Sequence, residues 1–299
     1  MRREVEALWA FHQRRLKPGT PVARLRDRVA FSQDPPWRLV ACEDCGLLYR
    51  NPAERAFELE SIYERDCPAR ELLAALHETQ RKSYDAQARR LRELLPRGAR
   101  VLEVGSYVGA FLAAARDAGL NAAGVDINPA VNRFTRSLGF DVRDGELPEM
   151  ETDPVDAIAI WNTFDQLSDP RGVAIAAFAR LKPGGVLAIR VPNGDYYRRM
   201  RPGASAGRRR AVLAHNNLLT FPYRWGFSPS ALRTLLEETG FREVRSIGDV
   251  LVPTADEWTR RWARAEEWVV KRLMRGVGAP AADRSPWFEQ YATVPPSPA

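Results

Sequence analysis

Short apolar runs alternate with helix-length stretches through the middle of the chain. Val101-Leu-Glu-Val104, Asn121 to Val125, Val155-Asp-Ala-Ile-Ala-Ile160 and Val186-Leu-Ala-Ile-Arg-Val191 are too short for helices. Their apolar content suits strands of a parallel sheet buried on both faces. Between them, Ala110 to Ala118 is rich in alanine and leucine, Pro129 to Leu138 stops at Gly139, and Arg171 to Leu181 precedes the turn Lys182-Pro-Gly-Gly185. All three read as helices. Phe140-Asp-Val-Arg143 supplies a further strand. Ser228 stands where it caps a helix running to Glu238, with Gly240 as its stop and Phe241 to Ile247 as the next strand. Strands and helices in strict alternation predict an α/β fold with a doubly wound sheet.

The flanks read differently. Residues 2 to 16 predict a helix carrying Val5, Leu8, Trp9 and Phe11, ended by Lys17-Pro-Gly-Thr-Pro21. Residues 22 to 50 predict short strands, Val29-Ala-Phe-Ser32 and Trp37-Arg-Leu-Val-Ala41 among them. Residues 55 to 95 predict helices that bury Leu72, Leu73, Leu76, Leu91, Leu94 and Leu95 and turn Arg89, Arg90 and Arg92 to water. The connection from Pro192 to Pro222 is long enough to be a lid or binding loop. It carries Arg198, Arg199, Arg201 and Arg208 to Arg210, then His215-Asn-Asn217. A helical insertion fills about 250–285. Trp258, Trp262, Ala265, Val269 and Leu273 share one of its faces, expected to pack on the chain's own domain, with a dimer contact or a membrane surface as alternatives.

The chemistry gathers where Val101–Val104 ends, in Glu103-x-Gly105-x-x-x-Gly109. Gly105 permits a sharp turn and close backbone approach to a ligand, and Gly109 lets the following helix pack against the strand. The next strand ends on Asp126, placed to accept hydrogen bonds from ribose hydroxyls. A pyrophosphate-binding turn would read G-x-G-x-x-G. Here the middle glycine is absent, and Glu103 would repel a pyrophosphate but suits a ligand bearing ammonium and sulfonium cations. An NAD(P)-dependent oxidoreductase is therefore the weaker enzyme reading.

This turn resembles motif I, and Gly124-Val-Asp126 motif II, of the class I S-adenosylmethionine-dependent methyltransferases, over roughly residues 40 to 294. Leu181-Lys-Pro-Gly-Gly-Val-Leu187 is similar to a turn common in that fold. The resemblance implies a Rossmann-like methyltransferase fold of seven strands, parallel but for an antiparallel last strand, which Pro286 to Val294 fits. It implies S-adenosylmethionine as cofactor, bound by Glu103, Gly105, Ser106, Tyr107, Gly109, Asp126, Ile127, Asp144, Leu147, Trp161 and Asn162. Leu147 is expected against the adenine, Asp144 at its exocyclic amine and Tyr84 across the cleft. Relatives often carry Glu-His where this chain has Asp165-Gln166, so His215 becomes the candidate base, with Asn162 the other candidate catalytic residue. Cys42-Glu-Asp-Cys45 resembles half of the zinc ribbon that precedes many such enzymes. The first cysteine pair is missing, so a metal-free remnant is expected. Residues 1–75 are then an accessory α+β region, and 76–299 the methyltransferase domain.

Composition adds exclusions. The 299 residues include three cysteines, too few for a disulfide framework, and the net charge of +7 is scattered without a basic stripe interleaved with aromatics. No Asn/Asp-Pro-Pro-Tyr/Phe token follows the strand 155–160, and no Pro-Cys nucleophile is present, which argues against nucleic acid as substrate. No apolar run reaches membrane-spanning or signal-peptide length. A cytoplasmic enzyme with no membrane partner is expected, acting by in-line displacement on a small-molecule acceptor of secondary metabolism. The lid arginines favour an acceptor that is anionic or carrier-bound. A homodimer, and a non-catalytic cofactor-binding scaffold, remain open.

Overall fold

A computed structural model describes residues 10–20, 38–52, 68–200, 223–251, 259–278 and 281–297. The strand expected at Val29–Ser32, Cys67, Trp258, His215 and lid residues 201–222 lie outside the described residues.

Seven strands form the main sheet: β3 (Arg100–Val104), β4 (Asn121–Asp126), β5 (Val142–Asp144), β6 (Val155–Trp161), β7 (Leu181–Pro192), β9 (Arg242–Asp249) and β10 (Trp287–Thr293). Their order is β5-β4-β3-β6-β7-β10-β9, with β10 antiparallel to both neighbours and the remaining pairs parallel. This is the expected doubly wound sheet with its antiparallel last strand.

Helices α2 (Asp85–Leu94) and α3 (Ala110–Asp117) cover one face, and α1 (Arg70–Arg81) packs on α3. Their core there joins Ala88, Leu91 and Phe111 to Ala157, Ala159, Trp161, Ala188 and Tyr291. Helix α4 (Pro129–Ser137) follows β4. Helices α5 (Pro170–Arg180) and α7 (Pro229–Glu238) pack on the larger opposite core, with Ile158, Ile160, Leu187, Ile189 and Phe288. Ala157 to Ile160 and Leu187 to Ile189 are fully buried, as strands covered on both faces must be.

Three helices start from one local device, a polar cap followed by proline. The Asn128 side chain accepts the amides of Ala130 and Val131, Asp169 that of Gly172, and Ser228 that of Ala231. Proline at the first helical position loses no hydrogen bond there and is preset in φ.

The accessory hairpin is stitched to this domain. β1 (Arg38–Ala41) pairs with β2 (Leu48–Asn51), and β2 takes as third strand β8 (Trp225–Gly226), which precedes α7. Trp225 Nε1 donates to Leu167 O at 2.7 Å. Helix α6 (Gly194–Met200) brings the Arg198 guanidinium against Gly46, beside the cysteine turn. Cys42 and Cys45 are free, and amides of residues 45 and 44 lower the Cys42 thiol's pKa.

Three expectations fail in the packing. Leu94 is exposed rather than buried, because Leu91 and Leu95 already fill the core side of that turn. Arg90 turns inward, paired with buried Glu289 at 2.5 Å. The apolar stripe of α8 (Arg261–Gly278) faces outward at Trp262, Val269 and Leu273, while Ala263, Glu267 and Lys271 take the buried side.

Candidate active site

The carboxyl ends of β3, β4 and β6 converge on the glycine turn. Gly105 has φ +76°, and a Cβ there would collide with Thr163 Oγ1, so the turn admits only glycine. Gly109, at φ +70°, lies where a Cβ would come 2.6 Å from Thr135 Cγ2, and it opens α3. Gly105 N donates to Val125 O at 2.9 Å, tying the turn to β4. Ser106 is buried behind the turn against Gly124, whose Cβ would lie 2.5 Å from Ser106 Oγ.

Asp126 completes the turn from β4. Its carboxylate accepts from Tyr107 N at 3.0 Å and Asn128 N at 2.9 Å, while Tyr107 holds a left-handed φ of +44°. Burial raises the Asp126 pKa against these two donors, and neighbouring Asp144 adds to the rise. Ile127 is half-buried at the same edge. Asp144, opposite Asp126 on β5, is held by Asn132 Nδ2 at 2.7 Å and Arg136 Nη1 at 3.3 Å. Leu147 is fully buried, part of the core beneath the turn.

Glu103 lies in a polar row that crosses the sheet on the α2 face. Strand alternation puts it on the same face as Val101, and register places Glu103 beside Ala159, Trp161 beside Arg190 and Arg190 opposite Glu289. Glu103 is buried, and its Oε2 has no hydrogen-bond partner among the described residues. Burial, then the Asp126 charge, push its pKa well above the carboxylate range, and Arg190 opposes them. Trp161 is buried edge-on to Phe111 at 5.4 Å, with its Nε1 unpartnered among the described residues.

Asn162 adopts a left-handed φ of +58°, its amide donating to Arg190 O at 3.0 Å and its Oδ1 accepting Arg190 Nε at 2.9 Å. Tyr84, from the 3₁₀ turn between α1 and α2, receives Asn162 Nδ2 at 3.5 Å and the Arg190 guanidinium 5.0 Å over its ring. Desolvation raises the Tyr84 pKa and keeps the phenol neutral. Arg190 also meets Asp249 at 3.4 Å; burial disfavours its charge, but Asp249 with the Tyr84 and Glu289 groups outweighs this and raises its pKa. Beyond it, Glu289 gathers Gln87 Nε2 at 2.6 Å, Arg90 and the Tyr291 hydroxyl at 2.6 Å.

Every sequence-predicted cofactor residue thus lies at the sheet's carboxyl edge or in the core directly under it. Sequence reasoning missed Arg190, Gln87 and Glu289. A charged residue inside the apolar run Val186–Val191 was the available signal, because an arginine there needs buried partners. Asp165 is also fully buried, its carboxylate unpartnered among the described residues and its pKa pushed well up by burial. Its carbonyl accepts the amides of Arg224 and Trp225, so the residue anchors β8.

A family model described as a methyltransferase domain matches residues 76–246. The chain belongs to that family. The motif resemblance to the class I S-adenosylmethionine-dependent methyltransferases therefore stands. Solved structures repeat this methyltransferase's fold at low identity. A SAM-dependent methyltransferase from Thermotoga maritima aligns with 79% of this chain and 99% of its own, at 17% identity and TM-score 0.54. An O-methyltransferase family protein from Burkholderia thailandensis aligns over 82% of this chain and 65% of its own, at 16% identity and TM-score 0.52. Human N-acetylserotonin methyltransferase, in complex with SAM, aligns over 82% and 60%, at 14% identity and TM-score 0.51. No curated protein matches the chain in sequence. Among the described residues no helix is long and apolar enough to cross a membrane, and no group of three or more His, Cys, Asp or Glu side chains is placed to hold a metal.

Proposed function

We propose that this methyltransferase moves the methyl of S-adenosylmethionine to a small-molecule acceptor by in-line displacement in a cytoplasmic setting. The reading is carried by buried Glu103, whose Oε2 lacks a hydrogen-bond partner among the described residues, beside the Gly105 turn and Asp126. A bound cation favours the ionised form of such a buried carboxyl and so pairs with it, whereas a pyrophosphate gains no such charge pairing there.

When bound, the cofactor supplies a methyl already attached to a sulfonium leaving group. What remains for the protein is orientation and exclusion of water. Gly105, Ser106, Tyr107 and Gly109 form the turn over which the donor lies. Asp126, its lone pairs only partly used by Tyr107 and Asn128, accepts the ribose hydroxyls, and Ile127, Asp144 and Leu147 border the adenine. Glu103 faces the amino-acid end. Trp161 and Asn162 floor the position of the transferred carbon, and Arg190 and Tyr84 hold the Asn162 amide in place. Where the acceptor must lose a proton, His215 is the base we assign from the sequence. Arg198 is taken by Asp195 on α6, and the arginines of the expected lid beyond α6, Arg201 and Arg208 to Arg210, favour an anionic or carrier-bound acceptor, as in secondary metabolism.

Incubation with methyl-labelled S-adenosylmethionine and a fractionated host extract tests the assignment. We expect label in a low-molecular-weight product. Label in nucleic acid alone, or in no acceptor at all, would contradict it.

A further inference from the structure

Among the described residues six large apolar side chains stand exposed, and four of them belong to α8. Trp262, Trp268, Val269 and Leu273 retain 52%, 54%, 47% and 62% of their full exposure. The helix is inverted relative to an ordinary core helix. Its buried side is Ala263, Glu267 and Lys271, with Glu267 and Lys271 closed as an ion pair at 2.6 Å. Trp262, Ala265, Val269 and Leu273, at steps of three, four and four, form one outward strip.

The charges beside that strip are one-sided. Glu266 is taken by Arg15 at 2.7 Å and Glu267 by Lys271, which neutralises both acids of the helix. Arg261, Arg264 and Arg272 pair with no acid among the described residues. They share a flank with Trp268, at positions i, i+3, i+11 and i+7, and the Arg272 guanidinium lies 5.3 Å over the Trp268 ring. Residues 10–16 brace the inner side. Arg15 Nη2 donates to Ala263 O at 3.3 Å, Arg260 Nε to Leu16 O at 2.8 Å, and Leu16 bridges Thr259.

We propose that α8 is a peripheral anchor that lies in the headgroup layer of an anionic lipid bilayer, its tryptophans and leucine inserted and its arginine flank on the lipid phosphates. An apolar strip with tryptophan, a basic flank and too much charge to span is the make-up of an interfacial helix. Indoles favour that depth, because the ring is apolar and its N–H stays wet. A second copy is the poorer occupant. Arginines stand toward both ends of the strip, so pairing two α8 helices in either direction sets like charges together. The strip lies one connection from the site, since α8 joins β9, which carries Asp249, to β10, which carries Glu289.

Co-sedimentation of the full chain with vesicles of phosphatidylcholine alone, and of phosphatidylcholine mixed with phosphatidylserine, tests this. The wild type should pellet with the second only and be released by added salt. R261Q with R272Q should lower the partition coefficient about thirtyfold, at about 1 kcal/mol per arginine. W262A with L273A should also lower it, while melting temperature and S-adenosylhomocysteine affinity stay unchanged. Failure of the wild type to pellet with either vesicle, or equal pelleting with both, would overturn the proposal. So would light scattering that shows a lipid-independent dimer which W262A with L273A converts to monomer.

Discussion

At the scale of single residues, the site is two carboxylates with opposite degrees of satisfaction. Asp126 is braced by the amides of Tyr107 and Asn128, and Glu103 is buried without a partner for Oε2 among the described residues. Asp126→Ala should weaken S-adenosylhomocysteine binding by about 1–3 kcal/mol in calorimetry, the cost of leaving buried hydrogen-bonding groups unmet. Unchanged affinity would remove the ribose assignment. Glu103 makes a pH prediction. Its folded pKa is raised, so between the ordinary carboxylate range and that raised value the native state holds more protons than the unfolded chain. Stability then falls as pH rises through this window. Glu103→Gln should flatten that fall, gaining most over wild type at the alkaline end, while weakening the cofactor. Urea titrations across pH read the first effect, and a parallel loss in both proteins would contradict it. Gly105→Ala should lower stability and cofactor affinity together, since the added Cβ meets Thr163 and the residue holds φ +76°.

At the scale of elements, β7 carries more than its apolar sequence suggests. Arg190 fixes Asn162 on one side and meets Asp249 on the other. Arg190→Met should destabilise by about 3–5 kcal/mol, because breaking a buried ion pair leaves its partner charged and desolvated. Thermal melts would read this, and a loss below about 1 kcal/mol would show the pair to be dispensable. The strands were legible because buried parallel strands are continuous apolar runs. The helix starts were legible because cap and proline act within three residues. The polar row was not, because it is assembled by register among β3, β6, β7 and β10, whose residues lie up to 186 positions apart between Glu103 and Glu289. The stripe on α8 was read correctly as amphipathic but assigned the wrong side. Periodicity identifies an apolar face without saying whether water, lipid or protein meets it.

At the scale of the whole molecule, the accessory hairpin and the catalytic sheet share structure. β8 leaves the methyltransferase domain to complete the hairpin's sheet, and Asp165 O accepts the amides of Arg224 and Trp225 at its start. Trp225→Ala, which removes a ring that packs with the main core and a hydrogen bond to Leu167, should lower the melting temperature of the domain as a single transition. A separate low-temperature transition would show the hairpin melting alone. The cysteine pair announced the hairpin, but nothing local in the two-residue strand Trp225–Gly226 announced its partner.

The central claim is that the Glu103–Gly109 turn and Asp126 hold an adenosine ligand that bears a cation. Calorimetric titration of the wild-type chain with S-adenosylmethionine and, separately, with NADH tests it most directly. We predict saturable binding of S-adenosylmethionine and no binding of NADH, whereas saturable NADH binding with no heat from S-adenosylmethionine would contradict the account.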